Sequence, residues 1–123
     1  MSKKIMVIDD SVTIRQAVGY TLKNAGYDVV EAQNGLDALK QMEAQPIGLF
    51  ICDVNMPGMD GIAFLKKMKE NDSYKHAPII MLTTESSKDK IAEGKDAGAK
   101  AWMVKPFVPQ QLLDAVKKLM VVR

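Results

Sequence analysis

Cysteine, histidine and long apolar runs are scarce in this sequence of 123 residues. Its one cysteine, Cys52, excludes an internal disulfide, and its one histidine, His76, excludes metal sites built from several imidazoles. No stretch free of Asp, Glu, Lys and Arg exceeds nine residues, whereas a membrane-spanning helix needs about 18 apolar ones. Only four apolar residues precede Asp9 after the initial Met1-Ser2-Lys3-Lys4, too few for a signal peptide. We therefore expect a cytoplasmic protein without membrane insertion.

Net charge is also low, at +2 from 17 basic and 15 acidic side chains. A protein that binds nucleic acid without sequence preference needs a surplus of cations, so that class is disfavoured. Apolar residues make up 47% of the chain and charged residues 26%, which is an ordinary globular composition. Domains commonly have about 100–150 residues, so residues 1–123 are expected to form a single domain.

Short apolar segments alternate with amphipathic ones along the chain. Continuous apolar runs of this length are typical of strands buried on both faces of a parallel sheet. The expected strands are Ile5–Ile8, Val29–Val30 with its flanks, Ile47–Cys52, Ile79–Leu82 and Ala101–Val104. The expected helices are Val12–Ala25, Ala38–Met42, Ile62–Met68, a fourth after Ser86-Ser87, and Leu112–Met120. Five strand–helix repeats predict an α/β domain with a parallel sheet covered by helices on both faces.

Residues that begin and end helices fall between these segments. Gly26 and Gly98 follow the first and fourth helices, a position where glycine commonly ends a helix. Asp60 is expected to cap the third helix, and Ser86 or Ser87 the fourth. The dipeptide Asn34-Gly35 is expected to precede the second helix.

Polar side chains stand at the ends of four of the five expected strands. Asp9 and Asp10 close the first strand, and Asp53 closes the third. Thr83 closes the fourth strand, and Lys105 closes the fifth. Carboxyl ends of parallel strands meet at one edge of the sheet, where open α/β sheets bind their ligands. Carboxylates crowded there repel one another by roughly 4 kcal/mol per pair at ~4 Å and an effective dielectric of about 20, so we expect a cation among them.

Oxygen ligands without histidine or cysteine indicate a hard cation, Mg²⁺, Mn²⁺ or Ca²⁺. Lys105 and Thr83 add a positive charge and a hydroxyl donor at the same edge. A metal, an ammonium and a hydroxyl that converge on a carboxylate favour phosphoryl transfer, with an aspartate as the nucleophile. Taken singly, each residue has a simpler interpretation as a cap, a turn residue or a solvated side chain. The joint pattern therefore carries the hypothesis.

Four motifs together resemble the receiver domain of two-component response regulators, and they span nearly the whole chain. They are Val7-Ile8-Asp9-Asp10-Ser11, Asp53-Val54-Asn55-Met56-Pro57-Gly58-Met59-Asp60-Gly61, Met81-Leu82-Thr83-Thr84 and Val104-Lys105-Pro106-Phe107. The chain is most similar to the stand-alone, CheY-like members. The resemblance implies a flavodoxin-like, doubly wound sheet of order 2-1-3-4-5, which places Asp9 and Asp10 next to Asp53.

The resemblance also implies roles for individual residues. Asp53 would accept the phosphoryl group and help to bind Mg²⁺, with Mn²⁺ as a possible substitute. Asp10 would bind the metal directly, Asp9 would bind it through water, and Asn55 would contribute its backbone carbonyl. Lys105 would contact the phosphoryl group.

Further implied roles concern the switch. Thr83 would hydrogen-bond the attached phosphoryl group and draw its loop along. An aromatic side chain on the fifth strand would fill the vacated space, and Trp102 occupies that position, where Tyr or Phe is commoner. The side chains of Asn55 and Glu85 would tune hydrolysis, and Pro106 would follow a cis peptide bond.

The implied partners are a sensor histidine kinase, which donates from a phosphohistidine, and a downstream protein such as the flagellar motor switch. The fourth helix, fifth strand and fifth helix would form the output face. Residues 86–123 carry eight basic and four acidic side chains, whereas residues 1–85 have a net charge of −2. A basic output face favours an acidic partner, although lysines that merely solvate helices explain the charge nearly as well. A chemotaxis output, a phosphate sink and a regulator outside motility all stay open.

Three other functions compete with this hypothesis. A flavin-binding carrier of the same fold would need a phosphate loop that Asp9 and Asp10 make repulsive. A Mg²⁺-dependent phosphohydrolase usually has Asp-x-Asp near the N-terminus and a cap domain, whereas Asp53-Val54-Asn55 lies in mid-chain. A receiver-shaped interaction protein with an inactive site would lack part of the acidic set. Apart from phosphorylating and dephosphorylating itself, the protein is not expected to be an enzyme.

Overall fold

The structure, a computed structural model, describes residues 4–120 as alternating strands and helices. The strands are β1 (Lys4–Ile8), β2 (Val29–Ala32), β3 (Ile47–Cys52), β4 (Ile79–Thr83) and β5 (Ala101–Val104). The helices are α1 (Val12–Asn24), α2 (Gly35–Ala44), α3 (Gly61–Lys69), α4 (Lys88–Asp96) and α5 (Pro109–Leu119). All neighbouring strands run parallel in the order β2-β1-β3-β4-β5. The predicted α/β fold and its strand order are confirmed.

Side chains of the three central strands divide between two apolar layers, because successive residues of a strand point to opposite faces. Met6, Phe50 and Met81 belong to the layer that packs against α2 and α3. The other layer packs against α1 and α5, and it includes Val7 and Ile51. Continuous apolar sequence in these strands thus reflects burial on both faces. Within residues 4–120, no helix combines the length and apolar character that crossing a membrane requires.

Most of the predicted helix boundaries are confirmed. The Asp60 carboxylate caps α3 by accepting from the Ala63 backbone N–H at 2.8 Å. Of the two serines considered for α4, Ser87 is the cap, and its hydroxyl accepts from the Lys90 backbone N–H at 3.2 Å. Gly26 and Gly98 follow the first and fourth helices with φ of 97° and 111°. These positive values suit glycine at the end of a helix.

Two helices begin earlier in the chain than the apolar pattern indicates. Gly35 is the first residue of α2 rather than a residue before it, because the Asn34 side chain caps the helix by accepting from Asp37 N at 2.8 Å. Helix α5 begins at Pro109, ahead of the apolar stripe that starts at Leu112. Proline suits the first position of a helix because its missing N–H would have no intrahelical partner there.

Strands β1 and β3 lie side by side, and their chains leave the sheet on opposite faces. The chain from β1 enters α1 on one face, and the chain from β3 enters α3 on the other. A crevice therefore opens beyond the carboxyl ends of β1 and β3, as expected where strand order reverses. At Gly61 a Cβ atom would overlap the backbone carbonyl of Asp53, so a glycine there lets α3 begin directly against the end of β3.

Candidate functional site

Three carboxylates gather at the crevice between β1 and β3. Asp9 and Asp53 directly follow these strands and are buried, at 2% and 6% exposure, while Asp10 faces solvent. The backbone N–H of Asp53 donates to the carbonyl of Ile8 at 3.0 Å, which extends the strand pairing to the acidic residues. One ligand oxygen from each carboxylate lies within 4.8 Å of the others. The expected acidic cluster is therefore present.

Lys105 reaches this cluster from the end of β5. Its Nζ lies 2.7 Å from Asp9 Oδ2 and 3.0 Å from Asp53 Oδ2, and only 11% of its side chain is exposed. The lysine crosses the end of β4 to reach them, since β4 separates β5 from β3. One ammonium thus bridges the two buried carboxylates and reduces their mutual repulsion.

Burial and pairing act against each other on the charges of this cluster. Burial raises the pKa of Asp9 above its ordinary value, although hydrogen bonds from Lys105 and from the Ser11 backbone N–H oppose the shift. Burial alone would lower the pKa of Lys105, but its hydrogen bonds to Asp9 and Asp53 outweigh that effect, and the pKa rises. Lys105 consequently stays cationic at neutral pH and keeps its place between the two carboxylates.

The donor chemistry of the cluster fits a hard divalent cation. Asp9, Asp10 and Asp53 offer only carboxylate oxygens, which Mg²⁺ and Mn²⁺ prefer over softer metals. The hydrogen bonds already made at the buried carboxylates orient them: Asp9 Oδ1 accepts from Ser11 N at 2.9 Å, and Asp53 Oδ1 accepts from Asn55 N at 3.2 Å. With Asp10 exposed beside them, the cluster can take an ion from solvent.

Thr83 ends β4 and is fully buried. Its Oγ1 accepts from the Glu85 backbone N–H at 3.1 Å, and its carbonyl accepts from the Lys105 backbone N–H at 2.8 Å. The carbonyl of Glu85 in turn accepts from Trp102 Nε1 at 3.0 Å. A continuous path of hydrogen bonds therefore connects the hydroxyl of Thr83, through the loop after β4, to the indole on β5.

Trp102 is half-buried and lies against α4. Gly94 is the point of contact, because a Cβ atom there would lie 2.5 Å from Cζ3 of the indole. Real side chains do not approach so closely, so a larger residue at this position of α4 would force the indole or the helix to shift. Trp102 thus contacts both the loop that carries Glu85 and the helix that follows that loop.

The remaining predicted residues lie around this centre. Asn55 is exposed two residues after Asp53, and Glu85 is half-buried two residues after Thr83. The peptide bond from Lys105 to Pro106 is cis, as the resemblance implied. Cys52 ends β3 as a fully buried thiol, and its Sγ lies 3.2 Å from the carbonyl oxygen of Asp53. It is a core residue, as its place in an apolar strand predicts.

Arg15 is a residue of this region that the sequence reasoning missed. It lies in the first turn of α1, where the positive end of the helix dipole disfavours a cation. Its Nη1 donates to the backbone carbonyl of Asp9 at 2.6 Å, and its Nε donates to Glu31 Oε1 at 3.2 Å. A basic residue near the positive end of the helix dipole was the feature of the sequence that could have indicated a specific partner for Arg15.

Comparison with known proteins identifies the family. Residues 5–117 match the family described as the response regulator receiver domain. The chain belongs to this family. The match includes every residue of the receiver's acidic cluster as well as Thr83, Trp102 and Lys105.

Relatives and solved structures cover nearly all of this receiver. The chemotaxis protein CheY1 of Helicobacter pylori is 39% identical over 116 residues, which are 93% of this chain and 94% of the relative. The chemotaxis protein CheY of Pseudomonas aeruginosa is 34% identical over 117 residues, or 94% of each chain. The structure of the chemotaxis protein CheY4 of Vibrio cholerae is similar with a TM-score of 0.91 at 44% identity, covering 97% of this chain and 99% of that one. The predicted kinship with stand-alone CheY-like receivers is confirmed.

Proposed function

We propose that this receiver is a phosphorylation-activated switch in which Asp53 accepts a phosphoryl group from the phosphohistidine of a sensor histidine kinase. One observation carries the proposal: a single ammonium, Lys105 Nζ, lies 2.7 Å from Asp9 and 3.0 Å from Asp53 inside the carboxylate cluster. An ammonium that bridges a candidate metal ligand and a candidate nucleophile would be close enough to stabilise the negative charge of a phosphoryl group attached to that nucleophile.

Asp10, Asp53 and the backbone carbonyl of Asn55 would hold Mg²⁺, with Asp9 acting through water and Mn²⁺ able to replace the ion. Bound there, the ion would supply neutralisation of the charge on the phosphoryl oxygens. The all-oxygen donor set described above supports this assignment.

The chemical step uses an oxygen of the Asp53 carboxylate as the nucleophile. That oxygen forms the new P–O bond while the P–N bond of the donor breaks, and the electron pair of that bond returns to the imidazole nitrogen. Lys105 is close enough to Asp53 to pair with the phosphoryl oxygens once they are attached. The Thr83 hydroxyl can donate a hydrogen bond to the phosphoryl group while its oxygen still accepts from Glu85 N, because a hydroxyl both donates and accepts.

Phosphorylation would change the charge and hydrogen bonding at Asp53, adding about 1.5–2 negative charges and three acceptor oxygens. A movement of the Thr83 hydroxyl toward these oxygens would pull on the Glu85 backbone, to which Trp102 is bonded. The change would thus reach the surface formed by α4, β5 and α5, where the signal leaves. Asn55 and Glu85, placed two residues after Asp53 and Thr83, would set how fast water removes the phosphoryl group.

The downstream partner would be a protein that contacts this α4–β5–α5 surface. Of the eight basic residues counted after position 85, Lys105 lies in the site and Arg123 lies outside the described residues. The three lysines of α4 are balanced by three acidic residues, whereas α5 exposes Lys117 and Lys118 near its end. An acidic segment of the partner would therefore bind at the end of α5 more than along α4.

Residues 1–123 would act as one receiver domain in the cytoplasm, with protein contact as the output and no reaction on other molecules. Relatives named as chemotaxis proteins favour a motility output, with the flagellar motor switch as the downstream protein. A phosphate sink would take the same phosphoryl group without gaining affinity for any downstream protein.

The proposal is tested by incubating the protein with Mg²⁺ and phosphoramidate and measuring its intact mass. We expect a gain of one phosphoryl group that is absent in Asp53→Asn and absent when a chelator removes the metal. Asp60→Asn is the matched control, because it makes the same substitution in the same loop at a helix cap, and it should retain the gain. A gain that persists in Asp53→Asn, or no gain in the wild type, would overturn the mechanism.

A further inference from the structure

Arg15 holds two groups at the rim of the acidic cluster without touching a carboxylate of that cluster. Its Nη1 donates to the Asp9 backbone carbonyl at 2.6 Å, and its Nε pairs with Glu31 Oε1 at 3.2 Å. Only 14% of the Arg15 side chain is exposed, against 35% for Glu31. The backbone of Glu31 is also held in place, because it belongs to β2 and its carbonyl accepts from Gln41 Nε2 at 2.8 Å.

The carbonyl that Arg15 holds belongs to the peptide group joining Asp9 to Asp10. Because a peptide group is planar, fixing its carbonyl also fixes the bond that leads to Asp10. The other side of Asp9 is already held, since its N–H donates to Ala32 O at 3.1 Å. After Asp10 the chain enters Ser11, whose hydroxyl caps α1. Asp10 thus stands between two fixed points, and Arg15 provides part of the first.

We infer that Arg15, anchored by Glu31, is a positioning residue that sets the direction of Asp10 and thereby the affinity of the carboxylate cluster for a divalent cation. The inference rests on the proposed metal-dependent function. Residues that orient metal ligands commonly change metal affinity by about 10–100-fold when they are removed. The position of Arg15 in the first turn of α1 is consistent with this role, because the helix dipole alone would not favour a cation there.

A purely electrostatic role and a positioning role of Arg15 predict opposite changes in metal affinity when Arg15 is removed, so the two roles can be distinguished by measurement. Arg15 is a cation close to the cluster, so its removal should strengthen binding of a second cation if only charge mattered. Loss of the grip on the Asp9 carbonyl should instead weaken binding. The double variant Arg15→Gln/Glu31→Gln removes one charge of each sign, so a purely electrostatic effect should largely cancel in it.

The test is a Mn²⁺ titration followed by the EPR signal of the free ion, with Mg²⁺ as competitor. We expect Arg15→Gln to weaken Mn²⁺ binding about tenfold, and the double variant to bind as weakly as the single one. The Mn²⁺ affinity of Arg15→Lys should lie between those of Arg15→Gln and the wild type. A lysine keeps the positive charge, but its single ammonium cannot bond the Asp9 carbonyl and Glu31 with the geometry of the guanidinium. Lys23→Gln, which removes the same charge from the last turn of the same helix, should leave the affinity unchanged.

Phosphorylation kinetics provide the second measurement. With phosphoramidate as donor, Arg15→Gln should need about ten times more metal for half of the maximal rate, while the rate at saturating metal stays near that of the wild type. A role limited to folding would lower the unfolding midpoint without this shift, and that result would overturn the inference.

The two proposals fail in different ways. A wild-type protein that binds no Mn²⁺ overturns the proposed function together with this inference. A wild-type protein that binds Mn²⁺, alongside an Arg15→Gln variant that binds it equally well or more tightly, overturns this inference alone. Should Arg15→Gln fail to fold, Arg15→Lys provides the test, because it keeps the charge and loses the fork, and an unchanged metal affinity in that variant would overturn the inference.

Discussion

Helices α4 and α5 pack on opposite faces of the same sheet, yet they are held in very different ways. Helix α5 buries Leu112 and Val116 completely, and several neighbours on the same stripe pack partly against the layer shared with α1. Within α4 the one buried residue is Gly94, which has no side chain to contribute. Each large apolar side chain that is fully buried stabilises a fold by about 1.5–3 kcal/mol, so α5 is much more firmly attached than α4.

The attachment of α4 depends on a few contacts of modest strength. Ser87 caps the helix, the indole of Trp102 packs on Gly94, and an exposed ion pair joins Lys66 of α3 to Glu93 at 3.4 Å. Exposed pairs of this kind contribute about 0–1 kcal/mol. We therefore expect α4, which follows the Thr83 loop, to be displaced more easily than α5. The proposed output surface therefore combines a weakly packed helix, α4, with a firmly packed one, α5.

The largest effect is expected from Leu112→Ala in α5. Removing a fully buried leucine side chain leaves a cavity and should cost about 2–5 kcal/mol in the free energy of unfolding, measured by chemical denaturation. Ile91→Ala in α4 is the comparison. Because Ile91 is only half-buried, this substitution should lower the free energy of unfolding by well under half as much as Leu112→Ala. Equal costs for the two variants would show that α4 is as firmly packed as α5.

An intermediate effect is expected from Gly94→Ala. In an exposed helix this change would stabilise by about 1 kcal/mol through helix propensity. Here the new Cβ would meet the indole of Trp102 at 2.5 Å, so we expect a net loss of about 1–3 kcal/mol.

The sign of the Gly94→Ala effect should reverse when the indole is absent. In a Trp102→Ala background the same substitution should become stabilising, while Lys95→Ala, at the next and exposed position, should be nearly neutral in both backgrounds. If Gly94→Ala stabilises the protein with Trp102 present, the close contact does not hold α4.

The smallest effect is expected from Trp102→Phe, which removes the donor to the Glu85 carbonyl and keeps an aromatic ring, although a smaller one, beside Gly94. One hydrogen bond of this kind contributes about 0.5–1.5 kcal/mol. Amide hydrogen exchange should report the loss locally, with faster exchange in α4 and in the loop before it, and with the α5 amides near Leu112 unchanged. Uniformly faster exchange in both helices would instead mean that Trp102 stabilises the whole fold.

The sequence predicted the parts of this molecule that repeat a simple pattern. Apolar runs predicted the buried strands. Asp9, Asp53 and Lys105 could be predicted as site residues because the ends of parallel strands meet at one edge of the sheet. The contact of Trp102 with Gly94 was not predictable in this way, since it joins a strand to a helix across the surface of the sheet. In sequence, Gly94 looks like a weak point in a helix, and only the packed indole explains it.

Arg15 shows the same limit at the site itself. Its two partners lie 6 and 16 positions away along the chain, and neither follows from helical or strand periodicity. The start of α2 at Gly35 was missed because a side-chain cap on Asn34 outweighs the low helix propensity of glycine. A contact made by one long side chain, or a helix start set by one cap, is recognised only when the three-dimensional arrangement is known.

The buried thiol of Cys52 has a practical consequence for studying the switch. Burial, together with the charges of Asp53, Asp9 and Asp60, raises the pKa of this thiol well above its usual range. Thiolates rather than thiols react with alkylating reagents, so we expect the fully buried Cys52 to react slowly with maleimides and iodoacetamide in the native protein. A cysteine introduced at exposed Lys95 on α4 can then be labelled alone, with the natural Cys52 left in place. A single fluorescent or spin reporter could thus be placed on the helix of the proposed output surface that is the less firmly packed.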